Sequence, residues 1–199
     1  MTSLFFVMFV LFVLVYTMQN KTIGELNDKN KTLNTAKEEL DKINEIRESL
    51  ENIDGKYFIY NETYKKHILN ISVGFKTGSA NMMDMNKDVR DQLKDAGQSL
   101  EKLMKSLPTN QNIRYLLVIE GQASRDGALI NDELSYRRAI ALRNFWFGLN
   151  PDLNNVLPNC EVVIAGSGQY GVPRDLPDIP PANQRFLITI IPKIGEMNK

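Results

Sequence analysis

The chain has one cysteine, Cys160, and one histidine, His67. A lone thiol excludes an internal disulfide framework, and one histidine beside one cysteine excludes a metal centre of the Cys/His type. Net charge is also missing: 24 basic and 24 acidic residues cancel over 199 residues. That balance removes the electrostatic footprint of a nucleic-acid binder. Cys160 heads an apolar run and reads as a small buried hydrophobe. His67 reads as an ordinary surface or strand residue, with no carboxylate-plus-nucleophile setting around it. Ser124, Arg125 and Asp126 have a loop composition and no candidate base close in sequence. No enzyme, catalytic residue, metal or cofactor is expected.

Charge is absent altogether from Thr2–Met18, TSLFFVMFVLFVLVYTM. With Gln19 and Asn20 this stretch approaches the ~20 residues that span a bilayer, and Tyr16 lies where an interfacial aromatic sits. A cleaved signal peptide would want a basic start and a small-residue cleavage site, and a buried core helix would want a polar stripe. None of these is present, so residues 1–19 are expected to form a transmembrane helix. No Lys or Arg precedes the segment, whereas Lys21, Lys29, Lys31 and Lys37 lie just after it. Taken alone, the positive-inside rule puts the remainder of the chain in the cytoplasm.

Residues 20–54 switch to Lys, Glu, Asn and Asp with spaced apolar residues. Leu26, Leu33 and Leu40 recur every seven residues, with Ala36, Ile43 and Leu50 at a second heptad position. Lys29 and Arg47 interrupt this seam. The pattern predicts a helical spacer, either a parallel coiled coil that makes a homodimer or a solitary solvated helix. A fully helical spacer would reach roughly 50 Å. Asp54-Gly55 is a turn signal that ends it.

Residues 55–199 read as one globular domain. Tyr57–Tyr60 and Ile68–Phe75 are short apolar runs around polar Asn61–Lys66, predicting a hairpin or strand pair. Val89, Leu93, Ala96, Leu100, Leu103 and Leu107 follow helical spacing up to Pro108. Tyr115–Glu120 reads as a strand covered on both faces. Leu134, Ala141, Leu142, Phe145 and Leu149 mark a second helix ending near Pro151, and Glu161–Ala165 and Phe186–Ile191 mark two further strands. The order β-α-β-α-β-β predicts an α+β fold, two helices packed on one mixed sheet.

Four motifs in this order resemble the OmpA/MotB-like C-terminal domain family over roughly residues 68–192. Phe75-Lys76-Thr77-Gly78-Ser79-Ala80 is similar to its F-x-x-G-S-A. Asn131, Leu134, Ser135, Arg138 and Ala139 match its N-x-x-L-S-x-x-R-A. Gly166-Ser167-Gly168-Gln169 through Pro173 is similar to its G-x-G-E loop, and Asn183-Gln184-Arg185 to its N-R-R close. The resemblance implies a non-enzymatic domain that contacts peptidoglycan and grips its diaminopimelate-type stem peptide. It also implies a protein of the bacterial inner membrane, single-pass, with this domain in the periplasm. That location conflicts with the lysine distribution.

The implied pocket needs an arginine for the ligand carboxylate, because a planar guanidinium grips it with two parallel bonds. The resemblance puts that arginine at Arg138, with Asn131, Ser135 and Arg138 on one helical face. The ammonium of the ligand calls for an acid. The family's G-H-T-D falls on Gly121-Gln122-Ala123-Ser124, which leaves Ser124 in the acid's place and Asp126 as a replacement two residues on. Arg185 completes the expected site residues. The alternative for Asp126 is a turn residue, and for Arg138 a surface salt bridge with Asp132 or Glu133.

Two other functions stay open. Met1-Thr2-Ser3-Leu4-Phe5-Phe6 is similar to the start of the membrane helix in MotB-type proteins, just after that segment's Asp and Leu. On that reading translation starts upstream, and the missing part supplies a basic tail and an ion-carrying Asp. The chain would then be a MotB/Zorya-like stator subunit with a multi-span membrane partner. The last alternative is an envelope scaffold that has lost wall binding.

Overall fold

The computed structural model describes residues 2–51, 53–107, 113–149, 156–157, 159–177 and 182–194. The chain divides into two compact units, Met1–Glu45 and Ile46–Lys199.

The first unit consists of most of helix α1 (Thr2–Glu51). No proline interrupts this helix and its one glycine is Gly24. By length and composition it can cross a membrane. Its apolar side chains, from Leu4 through Met18, are exposed along their whole run. The Thr17 hydroxyl donates to the Leu14 carbonyl at 2.9 Å, which hides a polar group that would be costly in hydrocarbon. Leu26, Leu33 and Leu40, the seam residues, are also exposed.

The second unit opens with the end of α1. Ile46 and Leu50 are buried in the domain core together with Ile53. Leu50, expected at a heptad seam, is therefore a core residue of the domain. Next comes a turn at Asp54, its carbonyl accepting from the Tyr57 and Phe58 amides. Strands β1 (Phe58–Asn61) and β2 (Lys66–Leu69) form the expected hairpin, Phe58 opposite Leu69 and Asn61 opposite Lys66.

Helix α2 (Lys87–Ser106) is capped by Asn86, whose side chain accepts from the Val89 amide. Of the residues whose spacing predicts it, Leu93, Ala96, Leu100 and Leu107 are buried and Val89 and Leu103 half-buried, while Met104 is buried outside that pattern. Strand β3 (Ile113–Gly121), helix α3 (Asn131–Phe147), β4 (Cys160–Gly166) and β5 (Phe186–Ile194) complete the unit. Gly148, at φ 86°, ends α3. Leu149 therefore lies beyond the helix and is exposed. Pro108 and Pro151, expected as helix stops, are outside the described residues.

The sheet runs β1-β2-β5-β3-β4. β3 and β4 are parallel, joined by the α3 crossover, and the other pairs are antiparallel. The fold class is thus the expected one: α+β, helices on one mixed sheet, with a long apolar helix in front. Two local readings differ. Along β3, Tyr115, Leu117 and Ile119 are buried, but Leu116 and Val118 are only half-buried. The core forms on the helix-covered face, so the apolar run does not mean coverage on both sides. The Ile68–Phe75 strand stops at Leu69. Ile71 and Val73 are buried and Ser72 and Gly74 exposed, the period-two pattern of an extended segment that joins no ladder. Cys160 is half-buried, and desolvation pushes its thiol up to about 11.

Candidate ligand-binding site

Three strand ends meet at one edge of the fold: Gly121 of β3 pairs with Gly166 of β4 and Phe186 of β5. The first turns of α3 cross directly over them. A Cβ on Gly121 would stand 2.2 Å from the Ser135 carbonyl oxygen, and one on Gly166 would stand 2.5 Å from the Tyr136 nitrogen. Only glycine lets the helix backbone come that close. The Ser135 hydroxyl then locks helix to loop, donating to the Asp132 carbonyl at 2.8 Å and accepting from the Gly168 amide at 2.9 Å.

The loop after β3 is buried at Gln122, Ala123 and Ser124. Its Gln122 amide bonds the Arg185 carbonyl and its Ala123 amide the Gly168 carbonyl, both at 2.9 Å. The Ser124 hydroxyl accepts from the Gln184 side-chain amide at 2.9 Å. Buried Asn131 donates to the Ser124 carbonyl at 3.0 Å and to Asp126 Oδ1 at 2.6 Å. The same Asp126 oxygen accepts from the Ala128 amide at 2.9 Å. Asp126 thus closes the turn that leads into α3, as its Asp-Gly setting suggests.

The Ala128 amide first, and the Asn131 side chain second, hold the Asp126 carboxyl below its ordinary value. The folded state favours the charged form, so these bonds support the turn above the ordinary carboxylate range and are lost as pH falls through the lowered value. A carbon-detected NMR titration is expected to place the Asp126 midpoint below 3.8. Asn131→Ala should move it up; an unmoved midpoint would show that Asn131 does not contribute.

Arg138 is 3% exposed. Its Nε donates to the Ser79 carbonyl at 3.0 Å and its guanidinium lies 4.5 Å over the Phe75 ring. Phe75 in turn meets Phe186 edge-on at 6.1 Å. Burial lowers the Arg138 pKa, yet a guanidinium stays charged in proteins. No carboxylate pairs with it among the described residues. Glu133 pairs instead with Arg137, at 2.6 Å.

Arg185 is buried too, but its nitrogens are engaged. Nε donates to Gln122 Oε1 at 3.1 Å, Nη1 to Asp175 Oδ2 at 3.0 Å and Nη2 to the Pro173 carbonyl at 2.7 Å. Asn183 brackets Asp175 from both sides, accepting from its amide and donating to its carbonyl. Arg174 reaches the Ala123 carbonyl at 2.8 Å. Lys66 pairs with buried Glu120 at 2.6 Å and donates to the Val172 carbonyl at 3.2 Å.

Direct bonds therefore join Ser124, Asp126 and Asn131 at the mouth of α3. Arg138 lies farther along the same helix against Phe75 and Ser79, and Arg185 fastens the loop before β5. Phe75, Ser79, Gln122, Ser135 and Gln184 also build this edge. Phe75 and Ser79 lie in the FKTGSA motif, Gln184 in Asn183-Gln184-Arg185 and Gln122 in Gly121-Gln122-Ala123-Ser124, where the sequence alone assigns it no role.

No family model matches the chain, and no curated protein does. Among solved structures it is similar to the C-terminal domain of Helicobacter pylori MotB (residues 125–256). Identity there is 17%, coverage 61% of this chain and 85% of that one, and the TM-score 0.40. For the periplasmic domain of the same protein, residues 97–256, identity is 17%, coverage 67% and 87%, and the TM-score 0.41. For its residues 90–256 the values are 14%, 74%, 84% and 0.41.

Proposed function

We propose that the protein is a non-enzymatic, membrane-anchored component of a bacterial envelope whose domain grips a carboxylate of peptidoglycan stem peptides through Arg138. The proposed layout is a single membrane helix over residues 1–19, a spacer over 20–54 whose last residues Ile46, Leu50 and Ile53 join the domain core, and a periplasmic wall-contacting domain over 55–199. The Leu26, Leu33 and Leu40 seam would bring two copies together.

The observation that supports this reading is the state of Arg138. A buried charge is costly unless paired, and among the described residues Arg138 has one backbone acceptor, an aromatic face and no acid. Such a group is completed by an anion from outside. Its guanidinium face rests on Phe75 and its Nε is held by Ser79, which leaves the remaining guanidinium donors to hold a carboxylate. Ser124 and Asn131 supply neutral polar groups on the same edge.

The test is retention of the detergent-solubilised full chain on purified sacculi, beside Arg138→Met. Wild type should be retained, and the variant weakened by at least about 30-fold, since losing a buried charge partner costs about 2–5 kcal/mol. Its melting temperature should stay near wild type, because methionine keeps the packing on Phe75 and removes an unpaired charge. Absence of wild-type retention, or equal retention of the variant, would overturn the reading.

A further inference from the structure

We propose that the free edge of β4 docks a second copy of this chain, the two β4 strands pairing antiparallel about a two-fold axis at Val163. The proposal stands on the sheet and does not depend on Arg138. β4 ends the order β1-β2-β5-β3-β4, and among the described residues no strand lies beyond it. The Asn159 carbonyl accepts from the Tyr115 amide, and the Ser167 amide donates to the Gly121 carbonyl. Alternation between these two ends gives the β3-facing backbone groups to Glu161, Val163 and Ala165. The amides and carbonyls of Val162, Ile164 and Gly166 therefore point away from the sheet. Burial agrees with an open edge. Val162 and Ile164 are only half-buried, whereas their β3 partners Leu117 and Ile119 are fully buried.

Folded proteins guard such edges with lysines, prolines, bulges or very short strands. The opposite edge strand, β1, is four residues long. β4 has seven residues with no lysine or proline, and its register with β3 runs unbroken from Cys160 to Gly166. Its one charge, Glu161, stands near one end. An edge left unguarded over this length is a pairing surface.

The strand's own sequence says what fits it. Laid antiparallel on itself about Val163, CEVVIAG pairs along its whole length. Val162 then stands opposite the partner's Ile164, the two Val163 residues face each other, and Glu161 stands opposite the partner's Ala165. Cross-strand pairs of β-branched residues stabilise a sheet, and like charges directly opposite would oppose it. Here the two Glu161 residues are kept about 13 Å apart, four residues at ~3.3 Å each. Outward-facing Val162 and Ile164 make the hydrogen-bonded pairs, and the Val163 pair is the closer, non-bonded kind. The helices fit as well. α3 packs on both β3 and β4, so in the joined sheet the two α3 helices stand two strand spacings apart, about 9.6 Å. Helices pack at about 8–10 Å. Tyr136, 45% exposed, lies on α3 over Gly166 and so beside that junction.

The test is register-specific cross-linking of the full chain in detergent micelles, with Cys160→Ser removing the native thiol. A non-bonded antiparallel pair has Cα atoms about 4.5 Å apart, within the range a disulfide bridges. Under mild oxidation with copper phenanthroline, Val163→Cys should cross-link at least tenfold faster than Glu161→Cys. Random collision would favour position 161, the more exposed of the two. Ile164→Pro removes an outward amide and spares the bonds to β3. Added to the Val163→Cys chain, it should slow cross-linking at least tenfold wherever its melting curve shows a folded protein. The comparison of positions 163 and 161 is decisive without the proline variant. In the wild-type chain, the Val162 and Ile164 amides should exchange at least tenfold more slowly than in Val163→Lys, where two lysines would face each other. Equal cross-linking at 163 and 161, or faster at 161, would overturn the inference; two copies joined through the Leu26, Leu33 and Leu40 seam alone would give that result. So would outward amides that stay slow in Val163→Lys, since a different occupant would then cover the edge.

Discussion

A fragment beginning at residue 55 is expected to be unfolded, or to melt far below one beginning at residue 40. Ile46, Leu50 and Ile53 are 5%, 4% and 5% exposed, all within the core of the second unit. Burying such a side chain contributes about 1.5–3 kcal/mol, so the three together contribute about 4.5–9 kcal/mol. The whole net stability of a domain is about 5–15 kcal/mol. Cutting after Asp54 removes them and opens the surface they cover. Thermal melts of the two fragments by circular dichroism decide it, and equal midpoints would show that the end of α1 is dispensable.

Arg185→Leu is expected to destabilise the second unit by about 2–5 kcal/mol, chiefly by leaving buried Gln122 Oε1 without a donor, at about 1–3 kcal/mol, and by removing the guanidinium's bond to the Pro173 carbonyl, at about 1.5–3 kcal/mol. That carbonyl keeps the Gln122 side-chain amide as a donor at 3.2 Å. The Asp175 side chain is 64% exposed, so the ion pair itself is screened and adds little. For a chain of this size the loss corresponds to a fall in Tm of roughly 5–15 °C. A Tm within a few degrees of wild type, with sacculus binding lost, would show instead that Arg185 serves the ligand.

Most of the architecture is legible in the sequence because burial and periodicity coincide there. The spacing from Val89 to Leu107 marks α2 because Leu93, Ala96 and Leu100 are buried in the domain core. Ile68–Phe75 misleads for a physical reason. Alternation reports which side chains are buried, whereas a strand also needs a neighbouring backbone, which one segment cannot reveal. The seam in α1 is similar: Leu50 fits a heptad and the domain core equally well, and only the fold says which it serves.

The site is legible in part. The motif around Asn131, Ser135 and Arg138 falls on buried positions of α3. Asp126 follows Ser124 by two residues in the chain, and its bonds to the Ala128 amide and the Asn131 side chain are not visible there. Gln122 lies in a motif, but its bond to Arg185, 63 positions away, is not legible there.

The cross-bonding of the two loops has a kinetic meaning. Ser135 holds Gly168, Arg174 holds Ala123, and Arg185 with Asn183 holds Pro173 and Asp175. The entropy of ordering these segments is lost when the protein folds, leaving little to be lost on encounter. A ligand bound here as proposed would meet walls already in position, with backbone shifts below about 1 Å. Its arrival would then be governed by diffusion and orientation, which similar ligands share, and selectivity would reside in departure. On the proposed function, the edge beside α3 would sort its partners by residence time.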